Sequence, residues 1–123
     1  MKKTFLCLAM FAVIFLYAFV IPDHNLAGHW ISYSGDGSKI NVDFNNDSTF
    51  KVSVNDETEN EGKYKLIEDT FFMYDNNCGM EIPGKYKLTF YNEDSVSFSL
   101  IDDACIDRTV EVDGAAIKRI KDN

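Results

Sequence analysis

Cys78, Cys105, His24, His29 and a surplus of carboxylates are the side chains of this chain with chemistry to offer, and their spacing decides which chemistry. Neither cysteine belongs to a Cys-x-x-Cys pair, so a redox motif is not indicated. The two histidines lie close together, far from both cysteines in sequence, which is a poor start for a metal site. Asp75-Asn76-Asn77 and Asp102-Asp103 with Asp107 are rich in oxygen donors, but the Asp-x-Asp-x-Asp-Gly spacing of a calcium loop is missing. There is no Gly-x-Ser-x-Gly and no His-Glu-x-x-His, and neither histidine is spaced to serve a nucleophile. The expectation is a non-enzymatic domain without cofactor or metal. The two cysteines are expected to form one structural disulfide. They stand 27 residues apart, and closing such a loop is worth roughly 3–4 kcal/mol.

That expectation rests on compartment. Met1-Lys2-Lys3 is a short basic start, and Phe5 to Ile21 is an uncharged run of seventeen apolar or small residues. Its length falls between a secretory signal core and a membrane span. Residues 1–21 therefore read as a signal peptide or as an uncleaved anchor over 4–21, with the third cysteine, Cys7, inside it. Either places the rest outside the membrane, in a periplasmic or secreted setting where disulfides persist.

The chain has 123 residues and a net charge of −8; the leader holds two lysines and no acid, so the remainder carries −10. Such a surface repels phosphate backbones and anionic headgroups, which excludes nucleic acid and leaves the N-terminal segment as the only membrane contact. A hydrophobic content of 46% excludes a disordered acidic tail.

The elements that must position these residues are short period-2 runs: Trp30–Tyr33, Ile40–Phe44, Phe50–Val54, Tyr64–Leu66, Phe71–Tyr74, Tyr86–Phe90, Val96–Leu100 and Ala115–Ile120. Ser34–Gly37, Asn45–Asp47, Glu68-Asp69 and Asn92–Asp94 separate them with turn chemistry. Asn55–Glu61 reads as a solvated acidic loop and Asp75–Pro83 as a longer loop. Thr109–Val112 reads either as a further strand or as a crossover with a helical turn. Gly62–Leu66 recurs as Gly84–Leu88 with a period of 22, which suits either a duplication or a meander of equal hairpins.

Eight hairpin-linked strands with one apolar face each bury that face and hide their edges by closing. The expected fold is all-β, a small up-and-down antiparallel barrel of about eight strands, with a two-sheet sandwich as the alternative. Phe44, Phe50, Tyr64, Tyr86, Phe90 and Phe98 would point inward. The first and last strands would then lie side by side, bringing Arg119 over the face of Trp30 as a plug of the barrel base. Arg108 could anchor a ligand carboxylate or pair with Asp102 or Asp103.

With these residues named, Gly28-x-Trp30 and the late Arg119 resemble the signature of the lipocalin and fatty-acid-binding (calycin) superfamily. Cys78-x4-Pro83-Gly84-Lys85-Tyr86 followed by Ser97-Phe98-x2-Ile101-Asp102-Asp103-x-Cys105-x2-Arg108 is similar to small exported bacterial lipocalin-like domains, in which the two cysteines and the arginine recur. The resemblance covers residues 28–120. The chain lacks the Thr-Asp-Tyr motif of lipocalins, and Arg119-Ile120-Lys121 replaces the Arg-x-Tyr of a fatty-acid clamp. The resemblance implies a binding module for a small hydrophobic or amphipathic ligand held by Phe44, Phe50, Tyr64, Tyr86, Phe98 and Arg108. The alternative is a structural or interaction protein of the envelope with a side-chain-filled barrel, acting through its acidic surface.

Overall fold

The computed structural model describes residues 24–121. The signal-peptide or anchor reading of residues 1–21 lies outside them. Eight strands pair antiparallel with their chain neighbours and the last pairs with the first, closing the barrel. They are β1 (Gly28–Tyr33), β2 (Lys39–Phe44), β3 (Thr49–Val54), β4 (Glu57–Ile67), β5 (Thr70–Asp75), β6 (Gly79–Asn92), β7 (Ser95–Asp103) and β8 (Ala116–Arg119). One short helix, α1 (Ile106–Val112), joins β7 to β8.

The alternation sets the inside. Trp30, Phe44, Phe50, Phe71, Met73, Tyr86, Leu88, Val96, Phe98 and Ile117 are buried, and Leu26 joins them from the segment before β1. Val42, Val52, Tyr64, Leu66 and Phe90 pack against this core while half-buried. Outward positions carry the charge. His29, Asp43, Lys51 and Glu61 stand opposite one another across four strands, with Lys51 between two carboxylates. Such cross-strand pairs hold register on a solvated face.

The two expected long loops are mostly strand. Only Asn55 and Asp56 turn the β3–β4 hairpin, both at positive φ, a conformation that Asn and Asp tolerate. Residues 57–61 run along β3, from Val54–Glu57 to Lys51–Glu61, with Glu59 left without a partner at a register shift between Val52 and Ser53. The acids are weak strand formers, but the partner ladder overrides propensity. The Asp75–Pro83 loop shrinks to a turn at Asn76–Cys78, because β6 begins at Gly79. Pro83 is accommodated there because the β5–β6 register shifts between Met73 and Asp75, and a bulge does not require its missing N–H. Of the two readings of Thr109–Val112, the helical one holds. Seven residues are too few for a helix stable on its own, so α1 depends on its attachment to β7. The recurring Gly-Lys-Tyr-Lys-Leu segments fall on β4 and β6, the two neighbours of β5.

Candidate functional site

Three places in the barrel gather the residues expected to act. At one end β1 begins and β8 finishes, with Trp30 paired to Arg119. Trp30 has no exposed surface, and its indole N–H donates to the Leu26 carbonyl at 2.8 Å. The Arg119 guanidinium lies 4.4 Å from the ring centroid. It donates to the carbonyls of Ala27 (2.5 Å), Asn25 (2.6 Å) and Glu93 (3.3 Å), and its Nε pairs with Asp94 at 3.2 Å. Gly28 makes this possible. Its φ is +132°, and a Cβ there would sit 3.0 Å from Arg119 Nη1.

In the middle, aromatic rings from different sides of the sheet meet. Phe44 of β2 contacts Tyr64 of β4 (centroids 4.9 Å apart) and Phe71 of β5 (5.8 Å). Phe71 in turn contacts Phe98 of β7 at 5.4 Å, edge to face. Phe50 packs on Phe44 at 6.4 Å. The Tyr64 hydroxyl donates to the Asn45 carbonyl at 3.1 Å, and burial, then the nearby Asp47, raise its pKa. Phe90, half-buried against the core, stacks on His24 at 4.0 Å.

At the opposite end Arg108 reaches from α1 into the barrel. Its side chain is 2% exposed, and those of Asp75 and Asp103 are fully buried. Both Nε and Nη2 donate to Asp103 at 2.7 Å, Nη1 donates to Asp75 at 3.3 Å, and Nη2 also reaches the Ile82 carbonyl at 3.0 Å. The same carboxylates hold the disulfide. Asp75 accepts from the Cys78 N–H at 2.8 Å and Asp103 from the Cys105 N–H at 2.9 Å, with the sulfurs bonded between them. Tyr86 adds its hydroxyl to Asp103 at 2.5 Å. Burial pushes the Asp103 carboxyl up, but Arg108, the Tyr86 hydroxyl and the Cys105 N–H outweigh it and hold it below the usual carboxylate range. The hydrogen bond to Asp103 raises Arg108 further, and burial followed by the Asp103 contact raises Tyr86, which stays a protonated donor. Gly84 leaves the room: a Cβ there would meet Asp103 at 2.7 Å and Arg108 at 2.9 Å.

Phe44, Phe50, Tyr64 and Phe98 therefore gather in one interior cluster, and Tyr86 joins the ion cluster. Arg108 stands apart from the rings. Of the alternatives open to it, the ion pair is filled, with Asp103 rather than Asp102 and with Asp75 in addition. Asp75 carried a readable signal: it shares the inward parity of Phe71 and Met73, where a charge requires a partner. Phe71 shared that parity too and is the ring that links both halves of the cluster.

Two hollows lie on the outer face of the sheet. One of about 500 Å³ is lined by His29, Asp43, Lys51, Glu61 and Lys63 among others; a second, of about 310 Å³, shares His29, Asp43 and Lys51. His29 and Asp43 touch through Nδ1 and Oδ1. No family model matches the chain, and no curated protein or solved structure is significantly similar to it.

Proposed function

We propose that this is an exported, non-catalytic interaction domain, a calycin-like barrel that uses its interior for stability and its outer surface for contact with a partner. One observation carries the reading. Phe44, Tyr64, Phe71 and Phe98 touch one another across the lumen, between an arginine-capped end and an arginine-plugged end. An eight-stranded barrel has room for its own side chains or for one small ligand, and here the side chains take the room. That weighs against a small hydrophobic molecule held by Phe44, Phe50, Tyr64, Tyr86, Phe98 and Arg108. The buried Tyr86, Asp103, Arg108 and Asp75 satisfy one another, which supports a structural role over acid–base chemistry. Export rests on the apolar leader and on a disulfide that an oxidising compartment maintains.

The test uses Trp30, the sole tryptophan of the chain. Titration with an environment-sensitive hydrophobic dye is expected to give no saturable response that shifts Trp30 emission. Saturation at one equivalent, with a Trp30 shift, overturns the reading and restores the hollow barrel.

A further inference from the structure

The helix α1 carries an apolar face that the barrel does not use. Arg108 points inward and Val112 packs against the core, but Ile106 and Val110, one helical turn apart, are each 77% exposed. β7, on which α1 packs, adds Ile101 at its bulge and the neighbouring Leu100, both exposed. On the neighbouring stretch of β6 and β7 the outward positions are polar, with Lys87 and Thr89 on β6 and Ser97 and Ser99 on β7. α1 and the end of β7 thus carry four exposed apolar side chains, while Tyr33, Ile67, Met80, Tyr91 and Ile120 are exposed on other segments.

Charge around this patch is mostly acidic. Asp102, Asp107, Glu111 and Asp113 are exposed. Arg108 is the sole base between residues 95 and 114, and it is buried against two carboxylates. Lys85 faces Asp102 across the β6–β7 pair, with its head over the Phe72 ring at 5.8 Å. The patch is also held in place. The disulfide fixes Cys105 at the start of α1, Arg108 ties its middle into the barrel, and the Gly114 N–H donates to the Phe98 carbonyl at its end. A surface fixed before binding loses little entropy when a partner arrives.

We propose that α1 and the end of β7 form a docking surface for a protein segment with an apolar centre and a rim of Lys and Arg. This rests on the reading of a filled barrel and names the surface that reading requires. Charge complementarity selects the occupant. A second copy of this chain would set acid against acid, and an anionic lipid surface would be repelled in the same way.

The probe is a short labelled peptide with leucines and lysines at amphipathic helical spacing, titrated into the full chain at low salt. It is expected to bind at one equivalent and to weaken about ten-fold or more on Val110→Asp. That substitution adds a negative charge, so attraction between a cation and an acidic protein in general would strengthen binding instead. Glu111→Lys is expected to weaken it as well, and the same peptide with glutamates for lysines is expected not to bind. Unchanged or tighter binding by the Val110→Asp variant overturns the proposal, as does binding of the glutamate peptide or of anionic vesicles. So does a concentration-dependent dimer that Val110→Asp dissolves. If the dye titration stays flat while the variant binds normally, the docking surface alone falls. If the dye saturates and shifts Trp30, the filled barrel falls with it.

Discussion

Both ends of this barrel are stopped by an arginine, and the two arginines work by different physics. Arg119 rests on an indole face and on three backbone carbonyls, with Asp94 as a half-exposed ionic partner shared with Lys121. Its acceptors are mostly neutral and remain partly satisfied by water if the guanidinium is removed. Arg108 is enclosed with two carboxylates that have no access to solvent. Burying three charges together gains little over a well-packed apolar plug, but taking one away strands the others in a low-dielectric site. The comparison separates a cap that adds stability from a counter-ion that the fold cannot do without.

The largest effect is expected at Arg108. Arg108→Met leaves Asp75 and Asp103 buried without a cation and is expected to cost about 3–5 kcal/mol in denaturant unfolding. Adding Asp75→Asn and Asp103→Asn to it should recover much of that loss; no recovery would mean that Arg108 acts through packing alone. The wild-type acid limb reports the same cluster. Asp103 has a folded pKa below its ordinary value, so its contribution is complete above about pH 4 and is lost as pH falls from there through the lower folded value. The triple variant should lack that component of acid destabilisation.

Next comes the disulfide, which braces the Arg108 end only. Replacing Cys78 and Cys105 together by serine is expected to lower stability by roughly 3–4 kcal/mol, read as a drop in melting temperature that dithiothreitol reproduces in the wild type. An unchanged melt under reductant would remove the brace from the account.

The smallest effect is expected at Arg119. Arg119→Met should cost about 0.5–2 kcal/mol, and it should shift Trp30 fluorescence because the indole loses its cationic neighbour. Since Asp94 is partly exposed, the Arg119 contribution should shrink with added salt while that of Arg108 holds. A loss at Arg119 equal to that at Arg108 would erase the distinction between the two ends.

Much of the barrel was readable because its signals are local. Alternation along Ile40–Phe44, Phe50–Val54 and Tyr86–Phe90 is a property of a few adjacent residues, and each of those runs is a strand. The pairing of Trp30 with Arg119 followed from closure, since an antiparallel cylinder must bring its first and last strands together. Cys78 and Cys105 were the natural pair once Cys7 was read as part of the apolar N-terminal run, and they are bonded. The acidic start of β4 was misread for the opposite reason. Residues 57–61 are poor strand formers, and what makes them a strand is β3 beside them.

What the chain by itself determined is therefore the period, the shorter turns and the number of strands, which depend on neighbours in sequence. What only the tertiary structure decided is who meets whom across the lumen. Asp75, Ile82, Asp103 and Arg108 come from three strands and a helix, and their meeting depends on strand stagger, on a bulge in the β5–β6 pair and on where α1 lands. The same holds for the ring cluster: Phe71 reaching both Phe44 and Phe98 is a matter of ring position in three dimensions, which no local pattern encodes.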